Sequence, residues 1–196
     1  MAKSETQKIK KELSKELDSK RYEHTLGVAY TASCLAMRYD YDITKAYIAG
    51  LLHDCAKCMS HNERINYCKK NNLEVTEIEK TNPSLLHAKV GADLSKRKYG
   101  IEDEEICSAV RYHTTGRPNM TLLEKIIFIA DYMEPHREEA EDLPIVRKQV
   151  FVNIDQALCT ILKDTLVYLE TSGKEIDSMT EKTYEYYIEQ ERAIAE

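Results

Sequence analysis

Glycine and proline are scarce in this chain. It has 6 Gly and 4 Pro among 196 residues, about 5% where average chains carry roughly 12%. A β-sandwich or barrel needs many tight turns, and tight turns draw on these residues. Because 42% of the residues are hydrophobic, the chain can still bury one sizeable core. The composition therefore favours an all-α fold.

The spacing of apolar residues supports the same fold class. Ile9, Leu13 and Leu17 lie four residues apart, which predicts a peripheral amphipathic helix. Asp42 and Ser60 are predicted helix caps, the second with Glu63 three residues on. The predicted helices cover residues 5–18, 20–39, 43–57, 60–71, 83–99, 102–113, 122–134, 144–171 and 180–195. No repeat or Gly/Ser/Pro linker divides the sequence, so we predict one domain over residues 1–196.

Charge and hydropathy exclude two classes of partner. The formal net charge is -6, and the basic residues are scattered among acids, so we expect no nucleic-acid partner. The longest apolar run, Ala46 to Leu52, is far below the ~18 residues of a membrane span. Residues 1–21 also have no signal-like apolar core. We therefore expect a soluble cytoplasmic protein with no membrane partner.

Six cysteines without an export signal predict reduced thiols. Cys55 and Cys58 form a single C-x-x-C pair. A structural zinc site would need a second pair, and a thioredoxin-like use would need a βαβ setting. We therefore assign neither function to them.

Imidazoles and carboxylates occupy positions where the apolar pattern of several helices calls for an inward-facing residue. For any one of them, a hydrogen-bonded core side chain is the ordinary interpretation. Together they offer four imidazoles and two carboxylates, which suit iron, manganese or zinc. The six residues are His24, His53, Asp54, His87, His113 and Asp131. His61 and His136 lie outside this set.

The order H…HD…H…H…D resembles the HD-domain superfamily of metal-dependent phosphohydrolases. Four longer strings are more specific, and together they resemble the YqeK family of bacterial symmetrical dinucleoside tetraphosphate hydrolases. The strings are LLHDCAK (51–57), HAKVGA (87–92), YHTTGRPNM (112–120) and IADYMEPHR (129–137). The resemblance runs from about Arg21 to Tyr187.

This resemblance implies an HD-domain helical bundle with the metal site in its core. Residues 20–140 would form that core, and residues 141–196 would complete the bundle and a nucleotide pocket. His24, His53, Asp54 and Asp131 would be the primary iron ligands. His87 and His113 would either complete a second metal site or face the substrate phosphates, so one or two ions remain open.

Cationic residues near these ligands are candidates for phosphate contact. Lys57 lies three residues after Asp54, so its ammonium can reach an anion held there, although a solvated surface lysine is the alternative. Arg117 and Arg137 can clamp phosphate or form surface pairs with the acids at 138–142.

The resemblance completes the candidate site. Asp54 and Lys57 are the candidate catalytic residues. Tyr132, beside Asp131, is a candidate for stacking on a base. The candidate substrate-binding residues are His24, Lys57, His87, His113, Thr114, Asp131, Arg137, Lys174, Glu175, Ile176 and Asp177, the last four in a loop that resembles the nucleotide-contacting loop of the family.

The implied activity is hydrolysis of diadenosine tetraphosphate to two ADP. One or two bound cations would lower the pKa of water and take up charge on the phosphoryl oxygens. A nucleotidase or nucleoside triphosphate phosphohydrolase with the same metal site is the first alternative, because the ligands specify substrate less firmly than reaction. A non-catalytic nucleotide-binding regulatory module and a structural helical adaptor are the others. The sequence leaves open whether residues 144–171 pair with a second copy to form a homodimer.

Overall fold

The computed structural model describes residues 3–138 and 140–195. These residues form eleven α-helices and no strand, which confirms the all-α prediction. The helices are α1 (Lys3–Glu16), α2 (Ser19–Arg38), α3 (Ile43–Leu52), α4 (His61–Lys70), α5 (Glu77–Thr81), α6 (Leu86–Arg97), α7 (Glu104–Tyr112), α8 (Leu122–Met133), α9 (Leu143–Gln149), α10 (Ile154–Thr171) and α11 (Ser178–Ala195).

Side-chain caps fix where many of these helices begin. The predicted cap Asp42 accepts hydrogen bonds from the backbone N–H groups of Thr44 and Lys45. Ser60 and Glu63 form the predicted capping box at the start of α4. Such caps satisfy N–H groups that have no partner within the helix. Both predicted starts are therefore confirmed.

The predicted helix over 43–57 was too long, because α3 ends at Leu52. Nδ1 of His53 lies 2.7 Å from the carbonyl oxygen of Gly50, the acceptor that a continued helix would offer to the N–H of Asp54. Tight turns follow instead, with the N–H of Lys57 donating to the carbonyl of Asp54 at 2.9 Å. His53 and Asp54 therefore lie in turns after the end of α3.

Two further helix predictions were wrong at their boundaries. The predicted helix 144–171 is two helices, α9 and α10, because Asn153 adopts an extended conformation and caps α10. The predicted start at residue 83 was early, since α6 begins at Leu86 after a turn. The short helix α5 was not predicted.

A close crossing of α2 and α3 brings His24 of α2 near His53, which follows the end of α3. A Cβ atom on Gly50 would lie 2.6 Å from the Cα of Ala29, so only glycine permits this approach. Ile9 and Leu13 of α1, and Leu17 directly after it, are buried against the core, as predicted. No helix in the described part of the chain is long and apolar enough to cross a membrane.

Candidate metal centre and adjoining cavity

The six predicted ligands converge on one buried region. They come from α2, from the end of α3 and the turn after it, from the first turn of α6, from the end of α7 and from the last turn of α8. Asp131 is half-buried, and the other five are buried. The structure divides them into two groups of three, each with ligand atoms close enough to hold one ion.

The first triad is His24, His53 and Asp131. Oδ1 of Asp131 lies 3.0 Å from Nε2 of His24 and 3.8 Å from Nε2 of His53. The two Nε2 atoms are 3.3 Å apart. All three side chains therefore direct a potential ligand atom to the same point.

The second triad is Asp54, His87 and His113. Oδ1 of Asp54 lies 3.2 Å from Nε2 of His87 and 3.6 Å from Nε2 of His113. The other oxygen of Asp54, Oδ2, lies 3.6 Å from Nε2 of His53 and 4.0 Å from Nε2 of His24. The Asp54 carboxylate thus lies between the triads with one oxygen toward each.

Hydrogen bonds at Nδ1 fix the tautomer of all four histidines. Nδ1 of His53 faces the carbonyl of Gly50, Nδ1 of His87 that of Ser84, and Nδ1 of His113 that of Val110, at 2.5 to 2.7 Å. Nδ1 of His24 faces Oε1 of Glu134 at 3.1 Å. Because carbonyl and carboxylate oxygens only accept, Nδ1 carries the proton in each ring. In the neutral form of each ring, Nε2 then presents a lone pair to the centre.

These lone pairs and the aspartates fit a cation. Nε2 of His87 and Nε2 of His113 are acceptors only 3.1 Å apart, and Oδ1 of Asp54 is buried without a hydrogen bond from any described residue. Burial lowers the pKa of His53 to about 4, so the ring is neutral near pH 7. Burial opposes ionisation of Asp54, but the imidazoles of His53, His113 and His87 around it hold the pKa of its carboxyl well below the usual range. Neutral imidazole and ionised carboxylate are the forms that bind metals.

Three cationic side chains surround the centre. Nζ of Lys57 lies 3.2 Å from Nε2 of His87 and 3.7 Å from Oδ1 of Asp54. Nη2 of Arg137 lies 2.9 Å from Oδ1 of Asp131. Nη1 of Arg21, which sequence reasoning missed, donates to Oδ2 of Asp54 at 2.7 Å. Lys57 and Arg137 are therefore where the sequence placed them, beside the ligand carboxylates.

Thr114 also reaches the second triad. Its Oγ1 lies 3.3 Å from Nε2 of His87 and 3.2 Å from Nε2 of His113. The structure gives Arg117 a partner that the sequence did not suggest. Its guanidinium forms two contacts of 3.0 Å with the buried carboxylate of Glu124.

A buried arginine that sequence reasoning missed supports the second triad. Arg64 donates to the carbonyl oxygens of Ala56, Lys57 and Pro83 at 3.3, 2.6 and 3.3 Å. It thereby joins the turn after Asp54 to the turn whose Ser84 carbonyl orients His87. A single arginine in a polar helix offers no sequence signal for this role.

A cavity of about 680 Å³ opens beside the centre. Its inner wall includes His113, Thr114, Asp131 and Arg137, and its outer wall is built from α8, α10 and the segment 140–143. Tyr132 lines it too, with its hydroxyl donating to Oδ2 of Asp164 at 2.9 Å. The cavity is large enough for a small organic ligand that reaches the metal ligands.

The predicted nucleotide loop lies at the rim of this cavity. None of the residues that line the cavity comes from 174–177. Nζ of Lys174 contacts the hydroxyl of the cavity residue Tyr168 at 2.8 Å, while Oε2 of Glu175 accepts from Thr81 at 2.7 Å. The nucleotide contacts of Lys174, Glu175, Ile176 and Asp177 therefore stay a prediction.

Comparison with known proteins identifies the class. Residues 21–136 match the family model for the HD domain. The order of the ligands in the chain and their convergence agree with that match, and the chain belongs to the HD domain family.

Individual proteins resemble this chain over most of its length. The chain is 40% identical over 176 residues to "Bis(5'-nucleosyl)-tetraphosphatase, symmetrical" of Bacillus subtilis (strain 168), covering 90% of this chain and 94% of the relative. It is 35% identical over 183 residues to the protein of the same name from Staphylococcus aureus (strain NCTC 8325 / PS 47), covering 92% and 93%. A crystal structure from Clostridium acetobutylicum, titled "predicted HD superfamily hydrolase involved in NAD metabolism", superimposes with a TM-score of 0.91 at 40% identity, covering 94% of this chain and 97% of that one.

Proposed function

We propose that this chain is a metal-dependent phosphoanhydride hydrolase that cleaves dinucleoside tetraphosphates symmetrically, so that diadenosine tetraphosphate gives two ADP. The observation that carries the proposal is a complete set of six metal-ligand side chains beside a cavity. Relatives that bear the name of this activity cover nearly the whole chain at 35% to 41% identity, which supports the substrate class.

The two triads provide the ligands for two metal ions, and Asp54 offers one oxygen to each. His24, His53 and Asp131 would hold the first ion, and His87, His113 and Asp54 would hold the second. We propose iron as the resident metal, with manganese or zinc as alternatives, since imidazole and carboxylate donors suit all three. A bound ion supplies an activated water and takes up negative charge on phosphoryl oxygens.

The cationic residues contribute to binding and orientation of the phosphates. Lys57 and Arg137 contact the ligand carboxylates Asp54 and Asp131, so a phosphate bound at the centre would lie within their reach. Arg137 presents a planar fork suited to two phosphoryl oxygens. The hydroxyl of Thr114, on the second triad, can donate to a third. These residues can hold one nucleoside diphosphate half at a fixed position, with its base in the cavity beside Tyr132.

A fixed half determines which bond breaks. If water attacks the terminal phosphorus of the held diphosphate, the central anhydride bond of the tetraphosphate is cleaved and the other ADP leaves. The test is chromatography of the products from diadenosine tetraphosphate in oxygen-18 water. We expect ADP alone, with one labelled oxygen per cleavage event.

Two results would contradict the proposal. Formation of AMP and ATP would show that attack falls on a different phosphorus. Absence of turnover of the dinucleotide, together with rapid hydrolysis of simple nucleotides, would instead identify a nucleotidase.

A further inference from the structure

The structure assigns a positioning role to Glu134: its carboxylate fixes the ring of His24 in the Nδ1–H tautomer and thereby sets the metal affinity of the first triad. This inference rests on the proposed function only in that the triad binds metal. It concerns no substrate contact, so it can be tested without measuring turnover.

Glu134 is buried, with 1% of its surface exposed, and it follows the end of α8 three residues after Asp131. Its Oε1 accepts from Nδ1 of His24 at 3.1 Å. Its Oε2 accepts from the backbone N–H of His136 at 2.9 Å and lies 3.1 Å from Nδ1 of the same residue. Both oxygens therefore act as hydrogen-bond acceptors with separate partners.

His24 needs this carboxylate because of its place in the fold. His53 and His113 lie at helix ends and His87 lies in a first turn, and each donates to the carbonyl three residues earlier. His24 lies inside α2, where the carbonyls nearby accept from the N–H groups of the helix itself. An acceptor from another element must therefore hold its Nδ1, and Glu134 is that acceptor.

Gly27 provides the space for this contact. It lies three residues after His24 on the same helix, and a Cβ atom at this position would lie 2.4 Å from Oε2 of Glu134. Arg147 holds the backbone on the other side, donating from Nη2 to the carbonyl oxygen of Glu134 at 2.9 Å. Arg147 thus anchors the backbone of Glu134, and Gly27 leaves room for its carboxylate beside α2.

A carboxylate at Nδ1 makes Nε2 a better metal ligand and prevents the ring from turning. Loss of such an outer partner typically costs 10–100-fold in metal affinity. We expect Glu134→Gln to lose about that much affinity for the ion of the first triad, because the amide has one acceptor oxygen to share between His24 and His136. The second triad, whose imidazoles bond to backbone carbonyls, should keep its affinity.

The matched control is Glu124→Gln in α8, the helix after which Glu134 lies. Glu124 is also a buried carboxylate, but it pairs with Arg117 and Ser108 and contacts no metal ligand. Mn²⁺ affinity is measured for both variants and the wild-type chain by competition with a chelator. A loss confined to Glu134→Gln supports the inference. Equal affinities in all three proteins, or equal losses in both variants, would overturn it.

Two measurements keep the test decisive if Glu134→Gln does not fold. Gly27→Ala leaves Glu134 chemically intact but displaces its carboxylate, so it should weaken binding of the same ion. Nitrogen-15 spectra of the metal-free wild-type chain should show the His24 ring protonated at Nδ1. A His24 ring without a proton at Nδ1 would refute the assignment without any variant.

Discussion

Replacement of Lys57 by methionine should slow hydrolysis while leaving the metal in place. Methionine keeps an unbranched stem but removes the ammonium, which lies 3.7 Å from Oδ1 of Asp54 and 3.2 Å from Nε2 of His87. Removal of one electrostatic contact to developing charge typically costs about 10²- to 10³-fold in rate. The side chain is 35% exposed, so water screens it and we expect the lower end, about 10²-fold or 2.7 kcal/mol.

The assay compares the kcat for diadenosine tetraphosphate, the bound metal and the thermal unfolding of the variant with those of the wild-type chain. Lys57 is not a ligand, and loss of its charge removes repulsion toward a cation, so metal content should not fall. Lys96→Met is the control, because Lys96 forms an exposed pair with Glu104. An unchanged rate in Lys57→Met would refute the reasoning and make Lys57 an ordinary surface lysine.

Two further predictions concern the ligands and the helix crossing. His53→Ala and Asp54→Ala should each abolish turnover and lower the amount of bound metal measured by elemental analysis. His61→Ala, at an exposed position, should match the wild-type chain. Equal losses in all three variants would indicate a folding defect instead. Gly50→Ala should destabilise the fold by about 1–3 kcal/mol, because its Cβ would meet the backbone of Ala29 at 2.6 Å. Calorimetry should show a Tm lowered by at least about 2 °C. An unchanged Tm would show that the α2–α3 crossing tolerates a side chain.

The sequence was sufficient to predict which polar side chains converge, because burial of a polar side chain leaves a periodic signal. His24 and Asp131 continue apolar stripes of their helices, and the structure places both in the first triad. The sequence could not divide the six ligands between two triads. That division depends on the orientation of the Asp54 carboxylate, which follows from the turns after α3 and not from spacing along the chain.

The supporting residues were harder to predict for a different reason. Arg21, Arg64 and Glu134 contact partners that are 33, 19 and 110 residues away along the chain, and no local pattern encodes such contacts. Local signals existed in two cases. Three histidines bond to the carbonyl oxygen three residues earlier in the chain. Gly27 lies three residues after His24 inside α2, where glycine by itself destabilises a helix.

The most direct test of the two-triad centre is anomalous diffraction from crystals of protein purified without chelator. The account predicts two anomalous peaks, one among His24, His53 and Asp131 and one among Asp54, His87 and His113, with the Asp54 carboxylate between them. Absence of a peak at this cluster after metal reconstitution, or a metal bound only at another position, would contradict it.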